Sequence, residues 1–533
     1  MPASIRADVL AYVAAAGSTL ALVTTYVLYV FVEHKGPAFL PMLSDTFVPA
    51  PGNYISRISL SGTALAVAAL GAVPYFSSKQ PSECLSRSVL LGMSCVATAC
   101  LAAVGAVCES DNVPSCMGEE KVHDFTAVTW FVLYDVYAVT ISLKHGPKMW
   151  REGKHATCVV LFVSLFVSQL AKLRFFLPAM TTRSLPVGRA LGGVGEADAL
   201  HGALGGPSLH ASNRITLEAA PVSSVAAAIT TAPSAIAAAV TAMGGSPWLA
   251  VVEYADVLAI MVHLVAYCHG MAGGFSFGIV PGVSASHATD TVHAAVGLPT
   301  LAGATATLAA ATIGGTFVIN LLQSTIHPSQ EWPMISDLWV AKPSNMISRY
   351  FICLGALLFG ICVVGHHDAV APSRPKHLAA VRLGCAAGLI SAAGLLVVGS
   401  CNEKEGPTLH SGSAITFFAG FGVWALADLA SSAHYWHGGS RAVAVVCFSV
   451  FGGCKLGALF HWLKPLIHPR DERALDDAAL AGADPQTVQT LAYAEWLAAA
   501  ALIGYFVVSN VSTPDCKSTR IAFYERADAA IKK

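Results

Sequence analysis

The sequence PMLSDTFVPAPGNYISR at residues 41–57 recurs without a gap as PMISDLWVAKPSNMISR at residues 333–349. The two stretches share ten of seventeen positions, including Asp45 with Asp337 and Arg57 with Arg349. Chance alignment of apolar runs does not explain charged and proline positions held at the same spacing in both stretches. The repeat therefore predicts that the chain arose by internal duplication.

The composition predicts a membrane protein. The 533 residues are 55% hydrophobic and 12% charged, with a mean hydropathy of +0.60, whereas soluble proteins average about 25% charged residues. The 31 Lys and Arg nearly balance the 32 Asp and Glu, so no basic surface for nucleic acid is indicated.

Apolar segments of roughly 17–25 residues, enough to cross a bilayer as a helix, recur along the whole chain. Twelve are predicted, near residues 9–32, 58–76, 88–107, 125–143, 156–180, 248–269, 296–322, 347–364, 378–398, 411–430, 442–463 and 487–508. The predicted fold is an all-α polytopic membrane protein with about twelve transmembrane helices, arranged as two parallel six-helix repeats.

This pattern predicts four regions. A first six-helix unit spans residues 1–272 and contains a low-complexity insertion at about 181–245; a linker follows at 273–293, a second six-helix unit at 294–511, and a basic cytosolic tail at 512–533. The Ala-rich stretch 216–243 is predicted to be a surface segment and not an additional helix, because Pro221, Pro233 and many hydroxyl groups interrupt it.

The distribution of basic residues predicts the orientation. The short loops after spans two and four of the first unit carry most of its loop cations: Lys79, Arg87, Lys144, Lys148, Arg151 and Lys154. The positive-inside rule then places both termini in the cytosol. Both copies of the repeated loop consequently face the lumen or the exterior.

A second shared block opens the fourth span of each unit. KVHDFTAVTWF at residues 121–131 aligns with TLHSGSAITFF at 408–418, which pairs His123 with His410. The predicted topology puts His123 on the same membrane face as Asp45 and Arg57. Arginine offers a planar fork to phosphate and histidine accepts protons near neutral pH, so these are the group types that hold a phosphate or activate a nucleophile. The alternative is a purely structural role for each residue. Asp45 would cap a turn, Arg57 would extend to the membrane interface, and His123 would cap a helix.

The sixth span of the first unit adds Glu253, Asp256 and His263, and Glu495 is the counterpart of Glu253 in the second unit. Carboxylates inside a span normally face a polar interior, because insertion costs about 2.5–3.5 kcal/mol each. Since Asp256 and His263 have no counterparts, we hypothesise that the first unit is active and the second is a scaffold.

The cysteines and remaining histidines give weaker signals. Cys108 and Cys116 flank an acidic loop and are able to close a disulfide in an oxidising compartment, although two unpaired thiols are an equal alternative. The clusters around His366 and His434 are predicted to be solvated loop residues. No metal-ligand or nucleotide-binding motif is present, so neither a metal nor a cofactor is predicted.

These residues together resemble the Frag/DRAM/Sfk superfamily. The resemblance rests on the repeated PM-SD-x(5)-P-x-N-x-ISR stretch, the histidine that opens helix four, and Glu-Tyr or Glu-Trp in helix six. It extends to the post-GPI-attachment remodelling factors and the N-terminal half of the yeast cell-wall CWH protein. The resemblance implies a Golgi or endoplasmic reticulum membrane protein that acts in GPI-anchor lipid remodelling.

The resemblance also implies roles for individual residues. Its candidate catalytic residues are His123, Asp124 and Asp45, and its candidate residues for binding a GPI or phosphoinositide lipid are Arg57, Asn53, Glu253 and His263. The second-unit counterparts are Asp337, Asn345, Arg349, His410 and Glu495. The second unit has Ser411 where the first has Asp124, so a His-Asp pair is expected only once. The alternatives are a non-enzymatic scaffold or lipid-handling protein of the DRAM or Sfk type and, less favoured, a transporter. Protein partners are not predicted.

Overall fold

The computed structural model describes residues 4–34, 41, 46–77, 84–107, 120–182, 246–271, 275–280, 291–328, 331–467 and 485–525. Within these residues, eleven helices are long and apolar enough to cross a membrane, and a shorter apolar helix lies at His155–Leu170. The predicted all-α polytopic membrane fold is thus confirmed. Most of the predicted insertion, from residue 183 to residue 245, lies outside the described residues.

Six long helices lie on each side of the predicted linker. In the first half these are α1 (Ala7–Val27, continued by a π-helical turn at Leu28–Val32), α2 (Gly52–Gly71), α3 (Cys84–Ala106), α4 (Glu120–Arg151), α5 (His155–Thr182) and α6 (Ser246–Met271). In the second half they are α7 (Leu298–Leu322), α8 (Ser344–Val370), α9 (Leu378–Ser400), α10 (Pro407–Ser432), α11 (Gly438–Ile467) and α12 (Pro485–Ser512).

Helices that follow one another in sequence pack side by side, as α9 does with α10. A Cβ atom at Gly394 would stand 2.7 Å from Phe417 N, and one at Gly420 would stand 2.7 Å from Ala387 O. Glycine at these positions lets the two backbones approach closely, as small residues do in other membrane helix pairs. The two halves meet where α8 packs against α2 and α3 and where α9 packs against α2.

A small antiparallel sheet joins segments that are far apart in the chain. Its strand order is β1 (Ser4–Arg6), β2 (Phe275–Val280), β4 (Arg520–Glu525) and β3 (Thr291–Gly297). The rings of Phe275 and Phe523 stack at 5.0 Å across β2 and β4. These strands are not predictable from local sequence patterns, because each is short and its partners are distant in the sequence.

The sheet fixes the relative direction of the halves. β1 directly precedes α1, β2 follows α6, β3 leads into α7, and β4 follows α12. The six helices of each half therefore begin and end at the same end of the bundle, which we call the sheet face. The opposite end, where α2 and α8 begin, is called the loop face.

The surface and interior have the polarity expected in lipid. Large apolar side chains such as Leu20, Phe125 and Leu322 are 67%, 70% and 80% exposed, whereas Arg57, Arg349 and other charged groups are buried between helices. Lipid tails solvate the apolar exterior, and buried charges have to find partners inside the bundle. Those partners define the candidate site.

Candidate functional site

The repeated sequence forms the same local structure at the start of α2 and α8. Cis peptide bonds precede Pro51 and Pro343, and each proline carbonyl accepts a hydrogen bond of 3.1 Å, from Tyr54 N and Met346 N respectively. The two prolines also share backbone angles, with φ of −89° and −87° and ψ of 1° and 3°. The described parts of the two repeated stretches thus share a backbone turn.

The paired asparagines lie in these turns and are buried. Ser56 Oγ donates to Asn53 O, and Ser348 Oγ donates to Asn345 O, each at 2.9 Å. The side-chain Oδ1 atoms of Asn53 and Asn345 are buried and have no hydrogen-bond partner among the described residues. The asparagines predicted to bind lipid therefore occupy equivalent positions at the loop face.

The paired arginines converge on one carboxylate that the sequence analysis did not identify. Arg57 Nη1 donates to Glu405 Oε2 at 2.9 Å and to Ser400 O at 2.6 Å, and Arg349 Nη2 donates to Glu405 Oε1. Arg57 and Arg349 are only 3% and 2% exposed. We call Arg57, Arg349 and Glu405 the Glu405 cluster. It joins α2 of the first half to the α9–α10 loop of the second.

The two arginines keep Glu405 ionised. Burial by itself would raise the pKa of Glu405, but the positive charges and hydrogen bonds of Arg57 and Arg349 outweigh burial and lower the pKa below its ordinary value. A buried carboxylate with two guanidinium partners satisfies the requirement that buried charges be paired. The predicted phosphate ligands thus bind a side chain of this protein.

The paired histidines also bind equivalent atoms. His123 Nδ1 lies 3.2 Å from Val107 O, and His410 Nδ1 lies 2.7 Å from Cys401 O. Because a carbonyl oxygen only accepts, Nδ1 carries the proton in both rings, and Nε2 of a neutral ring is left as the acceptor nitrogen. Val107 and Cys401 each directly follow the preceding helix, so both histidines cap a helix end.

The three predicted aspartates have different surroundings. Asp45 lies outside the described residues. Asp124 is exposed at the start of α4, directly after buried His123. Asp337 is exposed, and its Oδ2 accepts a 3.0 Å hydrogen bond from Met334 N, as in a side-chain turn.

Glu495 connects the repeated stretch to α12. Its Oε2 accepts a 3.0 Å hydrogen bond from Ile335 N, and Trp496 Nε1 donates to Pro333 O at 2.9 Å. The Glu-Trp pair of helix six therefore holds the PMISD segment in place. Glu253 is half-buried in α6, and the corresponding segment at 42–45 lies outside the described residues.

Asp256 and His263 lie in another part of the bundle. Asp256 Oδ1 accepts a 2.6 Å hydrogen bond from Ser168 Oγ, and His263 Nε2 lies 2.9 Å from Ser142 Oγ. Both residues are 2% exposed. His263 is ten residues beyond Glu253 in α6, or about 15 Å along a helix. These contacts join α6 to α5 and α4, away from His123.

A second buried network lies near the sheet face of the second half. His366 Nε2 lies 3.0 Å from Asp428 Oδ1, while Tyr505 OH and Ser509 Oγ donate to Asp428 Oδ2 at 3.2 and 2.6 Å. We call these four residues the Asp428 network. The prediction that His366 is a solvated loop residue is wrong, because α8 extends to Val370 and the residue is 4% exposed. An aspartate inside the apolar stretch FGVWALADLASS was the signal for this network.

Neither the predicted disulfide nor the predicted absence of a metal is tested by the described residues. Cys108 and Cys116 lie outside the described residues, so their disulfide stays a prediction. Within the described ranges, no group of three or more His, Cys, Asp or Glu residues is arranged to hold a metal ion. Cys516 Sγ and Asp428 approach opposite nitrogens of His366, so these three residues do not converge on one point.

One comparison with known proteins gives a match. Residues 297–511 match the family model described as Frag1/DRAM/Sfk1/Cwh43P N-terminal domain. This region covers the six helices of the second half up to the penultimate residue of α12, and the match supports the resemblance derived from the repeated motifs. The chain has no significant match to any curated protein or any solved structure.

Proposed function

We propose, on the premise of a Frag1-type membrane domain at residues 297–511, that this protein handles membrane lipids without catalysing a reaction. We further propose that it acts in GPI-anchor lipid remodelling in the Golgi or endoplasmic reticulum. The Glu405 cluster carries the non-enzymatic part of the proposal. Its two arginines bind an internal carboxylate, which is the contact expected of a scaffold.

The other repeated residues have contacts of the same kind. His123 and His410 bind helix-end carbonyls, and Glu495 and Asp337 bind backbone N–H groups of one loop. Each contact stabilises the loop face. Duplication of a six-helix unit accounts for this repetition, and the two units then share the Glu405 cluster at their junction.

The proposed partner is a membrane lipid with a phosphate-bearing headgroup, either a GPI or a phosphoinositide. With both termini in the cytosol, as the loop cations predict, the loop face lies on the luminal side. GPI-anchored proteins are attached on that side of the membrane, so the proposed topology places the repeated loops where GPI lipids occur.

Lipid analysis of GPI anchors from cells that lack this protein tests the proposal. We expect the anchor lipid composition to change, and full-length protein to restore it. An unchanged composition would remove the remodelling assignment. Asp124→Asn, an exposed substitution, is expected to restore the composition as well as the wild type does if the role is non-enzymatic.

Catalysis by His123 with Asp124 or Asp45 is the second candidate function. Its supporting observation is the Nδ1–H contact of His123, which leaves Nε2 able to accept a proton from a substrate. If Asp124→Asn protein reaches normal levels yet fails to restore the anchor lipids, this candidate replaces the non-enzymatic one. Asn keeps the size of the side chain and removes only its charge.

A further inference from the structure

Arg374 has an unpaired hydrogen-bonding edge at the sheet face. It lies between the spans Ser344–Ser373 and Pro375–Ser400 and is 3% exposed. Its Nη1 donates to Asp515 Oδ2 at 2.9 Å and to Ser373 Oγ at 2.5 Å. Its Nε and Nη2 atoms are buried, and neither has a hydrogen-bond partner among the described residues.

The unpaired edge has a defined chemical preference. Nε and Nη2 present two nearly parallel N–H bonds, the fork that binds two oxygens of a phosphate or a carboxylate. A buried charged donor without a partner is costly, so its position requires an explanation. An oxyanion would satisfy both N–H groups, and none of the described residues supplies one to this edge.

Tyr435 covers the flat side of this guanidinium. The Arg374 Cζ atom lies 3.5 Å from the centre of the Tyr435 ring, and Tyr435 is 46% exposed. Stacking fixes the plane of the guanidinium, which orients the fork before any ligand binds. Because the ring that stacks on it is half-exposed, the guanidinium lies directly beneath the protein surface.

The segments around Arg374 are basic. Residues 371–377, 433–441 and 513–520 contain five arginines and lysines and one acidic residue. The basic residues are Arg374, Lys376, Arg441, Lys517 and Arg520, and the acidic one is Asp515. Asp515 already binds the other edge of Arg374. An anion at the fork would therefore lie among segments of net positive charge. Because Arg374 stands between two apolar spans, it is expected at the membrane surface, where lipid phosphates lie.

We propose that the Nε and Nη2 edge of Arg374 binds the phosphate of an anionic phospholipid headgroup at the sheet face. This site is at the opposite end of the bundle from the Glu405 cluster, so the proposal goes beyond the proposed function and does not depend on it. Asp515, Ser373 and Tyr435 hold the guanidinium, and the basic rim selects anionic over zwitterionic lipid.

Native mass spectrometry of the purified full chain in detergent, with added phosphatidylglycerol or phosphatidylcholine, tests this site. We expect the wild type to retain more phosphatidylglycerol than phosphatidylcholine, and Arg374→Gln to lower phosphatidylglycerol retention about tenfold, since one charge-assisted bidentate contact is lost. Arg382→Gln, which removes an exposed charge from α9, is the matched control and should retain wild-type binding.

Two further variants distinguish the effect of losing the fork from the effects of misfolding and of losing the positive charge. Arg374→Lys keeps the charge but not the fork, and should retain phosphatidylglycerol at a level between the wild type and Arg374→Gln. Tyr435→Ala removes the stacking that fixes the plane of the guanidinium, and should lower phosphatidylglycerol retention less than Arg374→Gln does. Gel filtration of each variant checks folding, and if Arg374→Gln does not fold, Arg374→Lys provides the comparison.

Three results would overturn the proposal. They are equal retention by the wild type and Arg374→Lys, an equal loss with Arg382→Gln, and equal retention of the two lipids by the wild type. Inorganic phosphate distinguishes a lipid headgroup from free phosphate. If phosphate raises the melting temperature of the wild type but not of Arg374→Gln, while phosphatidylglycerol is not retained, the site takes free phosphate and the lipid assignment is wrong.

Discussion

The Glu405 cluster and the Asp428 network are both buried polar groups, but they are built from different kinds of residue. The Glu405 cluster uses an arginine that both halves possess and joins the halves at the loop face. The Asp428 network lies entirely within the second half. When the halves are aligned on Arg57 and Arg349, Pro74 stands at the position of His366. When they are aligned on His123 and His410, Ile141 stands at the position of Asp428. The first half therefore lacks the charged pair of this network.

A repeated arginine thus joins the halves in the Glu405 cluster, while each half has its own polar interior. The first half has Asp256 with Ser168 and His263 with Ser142 instead. Both halves therefore contain buried polar groups of their own. The hypothesis that the first half alone is active consequently gains nothing from the number of its polar residues, and it needs a functional test.

The largest expected effect comes from breaking the Glu405 cluster. Glu405→Ala removes the carboxylate that two buried arginines bind, and loss of one partner of a buried ion pair costs about 3–5 kcal/mol. Thermal unfolding in detergent, followed by tryptophan fluorescence, should show a large drop in melting temperature. Glu403→Gln, two residues earlier in the same loop, is the control; a drop no larger than the control's would argue against the cluster as the junction.

The Asp428 network should be the next most sensitive. Asp428→Asn keeps the size of the side chain but removes the charge that His366, Tyr505 and Ser509 contact, and losing a hydrogen bond to a charged group costs about 1.5–3 kcal/mol. The same unfolding measurement applies, with exposed Asp124→Asn as the matched control. Equal melting temperatures for the two variants would show that the network does not stabilise the second half.

Protonation of Glu405 should weaken the cluster at low pH. Because its folded-state pKa lies below the ordinary value, the stabilisation is complete above the pKa of the unfolded chain and is lost as the pH falls through the folded-state pKa. We expect the melting temperature of the wild type to fall with acidification more steeply than that of Glu405→Gln. Parallel pH curves for the two proteins would contradict this assignment.

The smallest expected effects come from the paired histidines. His123→Gln and His410→Gln each disturb one hydrogen bond to a helix-end carbonyl, worth about 1 kcal/mol, and should lower the melting temperature slightly and similarly. Anchor lipid analysis of the same variants tests the functional comparison. Equal losses of function would contradict an active first half and a scaffold second half, whereas a loss confined to His123→Gln would support it.

Sequence reasoning predicted the helices better than the contacts. Long apolar runs identify membrane helices because the bilayer sets their length. Arg57 and Arg349 were selected because they recur, but their shared partner was missed: Glu405 is 348 residues from Arg57 and has no paired position that would single it out. The prediction for His366 was wrong because the apolar run ends before the helix does.

The membrane fold, the repeated loop motif and the residues that the two halves have in common follow from the amino-acid order alone, because helix length, hydropathy and internal identity are local properties of the chain. Three features emerge only on folding: both arginines bind Glu405, four short strands meet in one sheet, and Arg374 has an unpaired edge among the described residues. Each of these depends on segments far apart in the sequence, and a charge acquires its role only from the partners that folding brings to it.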